Sequence, residues 1–138
     1  IGVNAVILGC WRIQGLRRFM ETWFRHCAIP QPRPLTLLTA CFSHSYVLAH
    51  FLPNMASLMV YFGPVKQALG LHQATAVYLS AGIMGFASSH VIRLVCYHHF
   101  RQELKPSLGA SGSVMGIMAV TYTCYYHQTH QEMMGVGK

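Results

Sequence analysis

The sequence is short of charge, and shorter still of negative charge. Only 9% of its residues are charged, three of them acidic against ten basic, where roughly a quarter is usual for a globular protein. Hydrophobic residues make up 53%. Such a balance cannot cover a domain with polar surface in water, so a membrane protein is the economical reading. Paired cysteine spacing is lacking too. Cys10, Cys27, Cys41, Cys96 and Cys124 form neither an even framework nor a Cys-x-x-Cys knuckle, which argues against a disulfide scaffold and leaves them as small apolar fillers. No basic segment precedes the first apolar run, Ile1 to Trp11, and no cleavage-type sequence follows it, so it is not a signal peptide. A span needs about 20 residues. The run reads as the tail of a span, and the chain as a fragment incomplete at both ends.

What is present is a set of apolar segments at about residues 1–12, 46–63, 74–96 and 108–127. They predict an all-α, polytopic helical bundle within one membrane domain, 1–138, with the first span partial. Residues 12–45 differ. Ile13, Leu16, Met20, Trp23, Phe24 and Cys27 recur at helical spacing on one face, and Arg12, Arg17, Arg18, Glu21 and Arg25 on the other. A basic amphipathic helix of this kind suits a membrane surface; packing on the protein's own core is the alternative. The prolines of residues 29–34 end it. Short connectors are expected at residues 63–73 and 97–107.

If the spans alternate in direction, the loops at 12–45 and 97–107 share one side. That side carries Arg12, Arg17, Arg18, Arg25, Arg33, Arg101 and Lys105, with Arg93 near its helix end, against Lys66 and Lys138 on the other. The positive-inside rule makes the first side the cytoplasmic or matrix-like one. Ser111 lies on it.

Polar groups inside spans cost energy and need a reason. His50 and Asn54 stand four residues apart in the second segment, and Gly109-Ala110-Ser111-Gly112 opens the fourth. Each has an ordinary structural reading: a serine at a helix start as N-cap, and a His/Asn pair as an interhelical hydrogen bond. A Gly-x-Ser-x-Gly elbow is excluded, because position 113 is serine. Pro53 leaves two readings of the pair open. Either the helix runs through His50 and both side chains share a face, or it starts near Pro53 with His50 in the entering turn.

In order and combination, "FSHSYVLAHFLPNM" followed by "PSLGASGSVM" resembles the rhomboid family of intramembrane serine proteases. "AVYLSAG" and "PSLGASG" are especially similar to its mitochondrial, presenilin-associated rhomboid-like branch. The resemblance implies about four of six core spans, with the last spans missing, and a place in the mitochondrial inner membrane. It implies Ser111 as nucleophile, His50 and Asn54 as oxyanion donors, and Gly109 and Gly112 as motif backbone. No cofactor or metal is implied; the partners would be single-span membrane proteins as substrates, in a lipid bilayer, with no nucleic acid. The family's base histidine lies two spans beyond its serine, so the resemblance puts it outside this chain and makes the isolated chain inactive. His44 and His50 are separated by one residue more than the family pattern, and Met115 stands where bacterial members often have an aromatic residue.

Two other readings compete. One is a catalytically inactive rhomboid-like protein or truncated isoform that binds membrane partners. The other is metal handling by Cys96, His98 and His99 with Cys124, His127 and His130, a weaker reading because the clusters lie at opposite ends of spans and lack carboxylates.

Overall fold

The structure is a computed structural model that describes residues 1–27, 33–44, 47–101 and 105–134, without the side chains of 47, 48 and 131–133. The proline connector expected at 29–34 falls largely outside these residues. The described helices are α1 (Gly2–Cys10), α2 (Arg17–Trp23), α3 (Thr36–Thr39), α4 (Leu52–Leu69), α5 (Leu71–Phe100) and α6 (Ser111–Met133). Single 3₁₀ turns cover Gln14–Leu16 and Ala40–Phe42, and a π turn covers Val47–Phe51. The expected all-α bundle is the fold observed, with no strand among the described residues.

Several boundaries depart from the expected segments for visible reasons. The amphipathic stretch is not one helix from Arg12 to Cys27. It is a 3₁₀ turn followed by α2, and only Met20 and His26 bury themselves, while Ile13, Leu16, Phe19 and Trp23 remain exposed. The expected connector at 63–73 is mostly helix. Pro64 stands inside α4, where its missing N–H leaves the carbonyl of Val60 without a ladder donor, yet the helix continues to Leu69. Fully buried Val65 and the packing of Leu69 against the core offset that loss. The turn shrinks to Gly70 alone, at φ +83, and Val65 and Ala74 meet in one core on either side of it. Helix α5 is also longer than residues 74–96. At 30 residues it measures about 45 Å against a hydrocarbon core of about 30 Å, and it stops where Arg101 turns left-handed at φ 54, its N–H on the Tyr97 carbonyl.

Among the described residues, α5 is the one helix both long and apolar enough to cross a membrane by length and composition. Helix α6 loses apolarity in its last turns to His127, Gln128, Thr129 and His130. Much of what these helices expose is apolar, including Met84, Val91, Ile92 and Phe100 on α5 and Met115, Tyr122, Tyr125 and Tyr126 on α6. Lipid is the solvent that makes this surface inexpensive.

The bundle is built on α4, α5 and α6, with the α5–α6 seam its most extensive contact. Small residues set the separation there. A Cβ on Gly116 would collide with Cβ of Ala81, and one on Gly82 with Ser113 Oγ and with Cys41 Sγ at 2.6 Å. Below the seam Met55, Leu58, Val65, Ala74, Tyr78, Val114 and Ile117 form the core. Thr121 Oγ1 donates to the Tyr61 carbonyl at 3.1 Å, tying α6 to α4.

At the basic end, a histidine network joins three segments. Thr36 Oγ1 donates to the Arg33 carbonyl at 2.6 Å and therefore accepts from His26 Nδ1 at 2.8 Å. This leaves His26 Nε2 to accept from His90 Nδ1 of α5 at 2.9 Å. The main chain of His26 meanwhile exchanges two hydrogen bonds with Ser107, at 2.8 and 2.9 Å. The loop after α1 and the loop before α6 thus lie together. Burial, then the neighbouring His90 and Arg93, pushes the His26 imidazole below its usual 6.5.

Two outcomes follow. Gly116→Ala should destabilise by about 1–3 kcal/mol through overpacking, although alanine in a helix interior is intrinsically better by up to about 1 kcal/mol. Unfolding in detergent micelles measures it, and adding Ala81→Gly should restore stability. Because the His26 pKa is depressed in the folded state, the unfolded chain binds the proton more readily. Stability present above about pH 6.5 should therefore fall as the pH drops towards the lower folded value, and His26→Gln should flatten that part of the profile relative to the wild type.

Candidate active site

Helix α6 begins at Ser111, whose side chain is exposed. The first ladder bond runs from the Val114 N–H to the Ala110 carbonyl at 2.9 Å. The N–H groups of Ser111, Gly112 and Ser113 therefore have no acceptor within the helix, and they stand at the positive end of its dipole. The approach to Ser111 is rigid. Ala110 is fully buried, and the Gly109 N–H donates to the carbonyl of Ala40 at 2.9 Å.

Gly109 is the residue that joins the two halves of the site. Its φ is +136, a conformation that favours glycine. A Cβ there would fall 2.5 Å from Nε2 and 2.7 Å from Cε1 of His50. The imidazole of His50 thus rests on the bare Cα face of Gly109, two residues before Ser111. The glycine serves both backbone and neighbour.

His50 does not lie in α4. It belongs to the π turn Val47–Phe51, and the helix starts at Leu52 with Pro53 in its first turn, where the missing N–H costs nothing. The reading in which His50 and Asn54 share one regular helical face is therefore replaced by the entering-turn reading. The chain is already helical before the proline, with Phe51 at φ -69 and ψ -52, and the wider π turn passes directly into α4 at Leu52. Asn54 Nδ2 donates to the carbonyl of His50 itself at 2.7 Å. One of the two carboxamide N–H groups is thus used to close the turn, leaving the other.

Surrounding groups fix the His50 ring without competing as nucleophiles. His44 is fully buried, with its ring centroid 5.0 Å from that of His50 and 5.3 Å from that of Phe51, perpendicular to the latter. Burial, then the field of His50, lowers its pKa to about 4, so the ring is neutral. Trp11 Nε1 donates to Ser43 Oγ at 2.6 Å, clamping the chain before His44 to the end of α1. Burial pushes the Cys41 thiol up to about 11, and it donates to the Leu37 carbonyl at 3.1 Å. It stays protonated, unable to act as a thiolate at neutral pH.

Gly112 and Gly116 face α5 at Ala81 and Gly85, so Gly112 belongs to the seam as much as to the motif. His127 and His130 stand far along α6, exposed and beside Tyr126. Sixteen residues of helix put His127 about 24 Å from Ser111. Sequence reasoning missed the Ala40 carbonyl and the Trp11–Ser43 clamp. Main-chain acceptors carry no residue signature, and a tryptophan near a span end reads equally well as an interface residue.

The comparisons agree with this geometry at the level of family. The Rhomboid domain model matches residues 31–137. The chain is 34% identical over 123 residues to presenilin-associated rhomboid-like protein A, mitochondrial, of Danio rerio, covering 89% of this chain and 30% of that protein. The Mus musculus and Homo sapiens presenilin-associated rhomboid-like proteins, mitochondrial, are each 32% identical over 123 residues, covering 89% of this chain and 31% of theirs. This chain therefore spans less than a third of the length of these relatives. No solved structure matches it. With a family match over most of its length and the small-residue seam and glycine-opened helix in place, the chain belongs to the rhomboid family of membrane proteins.

Proposed function

We propose that the protein is an intramembrane serine peptidase of the mitochondrial inner membrane, acting on single-span membrane proteins. The observation that carries this reading is the seat of His50 on Gly109, because it places an imidazole beside a helix N-terminus that opens with an exposed serine. Ser111 Oγ attacks the scissile carbonyl. The oxyanion that forms is held by the free N–H groups of the first turn of α6, by His50 and by the remaining N–H of Asn54. The base is the histidine that the family resemblance puts beyond this chain; it takes the Ser111 proton and returns it to the leaving amine, and then takes a proton from the water that releases the acyl group from Ser111. Substrate helices must unwind near the cut, because an intact helix hides its carbonyls in its own hydrogen bonds.

A second reading, a rhomboid relative that binds membrane partners without cutting them, is favoured by one feature: Asn54 spends an N–H on the His50 carbonyl.

The deciding experiment expresses the complete protein with a single-span mitochondrial membrane protein and follows the substrate by gel. Cleavage is expected and should vanish in Ser111→Ala; no cleavage by the wild type supports the binding reading, and cleavage surviving the substitution removes Ser111 from the mechanism. His50→Ala and Asn54→Ala should each lower turnover by about 10²–10³ if the side chain is an oxyanion donor. Gly109→Ala should abolish turnover, since its Cβ occupies the place of the imidazole.

A further inference from the structure

A cavity of about 990 Å³ lies at the basic end, between the end of α1, α2, the last turns of α5 and the loop before Gly109. It is the size of a small-molecule site. Arg12, Arg17, Arg25 and Arg93 line it, with Glu21 the one acidic group on its wall among the described residues. Glu21 is already matched to Arg17, Nε to carboxylate at 3.2 Å. Among the described residues, three guanidinium charges therefore face one cavity with no carboxylate of their own there. An arginine cannot shed its proton to relieve that repulsion; an anion can relieve it.

We propose that this cavity binds a phosphate-bearing anion of the kind carried by an anionic phospholipid headgroup. Arg93 is prepared for it. Its Nε donates to Ser89 Oγ at 3.1 Å and one terminal nitrogen donates to the Lys105 carbonyl. The guanidinium is thus held still, and its other N–H groups have no partner among the described residues. The surroundings match the depth of a headgroup. Ile13, Leu16, Phe19 and Trp23, in the same segment as three of the arginines, are exposed apolar side chains suited to lying in a bilayer surface. Leu8 and Trp11, at the end of α1, add apolar surface to the cavity wall beside the arginines. Basic pockets between helices on the positive side of a membrane protein suit anionic headgroups. An acidic peptide would satisfy the charge but has no use for the exposed Ile13, Leu16, Phe19 and Trp23 of the same segment.

The test is native mass spectrometry of the complete protein in detergent, titrated separately with phosphatidylglycerol, phosphatidylcholine, inorganic phosphate and an oligo-aspartate peptide. Phosphatidylglycerol should be retained and phosphatidylcholine lost. Arg12→Gln with Arg25→Gln should weaken phosphatidylglycerol binding by about 25-fold, at about five-fold per arginine. Glu21→Gln, which frees Arg17, should strengthen it, and this variant still decides the matter if the double substitution fails to fold. Arg18→Gln with Arg101→Gln, both outside the cavity, should change nothing. Displacement of phosphatidylglycerol by inorganic phosphate assigns the site to the phosphate group from either source, and resistance assigns it to the lipid-borne group. Equal retention of the two lipids, binding of the acidic peptide in place of phosphatidylglycerol, unchanged binding in both the double variant and Glu21→Gln, or an equal loss in the control variant overturns the proposal.

Discussion

The structure depends on how closely α5 and α6 can approach. In a bilayer no hydrophobic gain drives helices together, because lipid is as apolar as leucine; what remains is dispersion at short range and the bonds that short range permits. Ala81, Gly82 and Gly85 against Gly112, Ser113 and Gly116 supply that range. The same approach puts Ser113 beside Cys41 and so draws the 3₁₀ turn Ala40–Phe42 under the start of α6. From there the Ala40 carbonyl holds Gly109, and Gly109 receives His50. A methyl group at the seam would be felt at the imidazole.

A second design element is the use of polar groups at the basic end of an apolar protein. The histidine network and the exchange between His26 and Ser107 join loops that are far apart in sequence. Trp11 does the same for α1. The side-chain bonds form a buried or partly buried layer, so each is stronger than its counterpart on a wet surface, and more expensive to leave unmade. The arginines stand just outside this layer, where their charge can be met.

Much of this was legible in the sequence. Low charge and the apolar runs pointed to the helical bundle, and the glycines before Ser111 and the distant His50, both singled out in the sequence, meet at Gly109. Helix ends were less legible, because they depend on partners a local pattern does not contain. Pro64 looks like a terminator until Val65 is seen buried, and Gly70 looks no more important than other glycines until it becomes the whole turn. Sequence alone left His50 either on one helical face with Asn54 or in the turn before it, and the π turn that ends at Phe51 decides for the second. The His26–His90 pair lies 64 residues apart in sequence and leaves no periodic trace.

The bridge between His26 and Ser107 is made by main-chain groups alone. Its geometry is therefore indifferent to the side chain at position 107, and any residue that keeps an N–H can serve there. Position 107 is free to drift in composition over evolutionary time while the loop leading to Ser111 stays pinned in space. Only proline is barred from that post. A lineage could thus retune what the loop offers to an approaching polypeptide without disturbing the ground on which the serine stands.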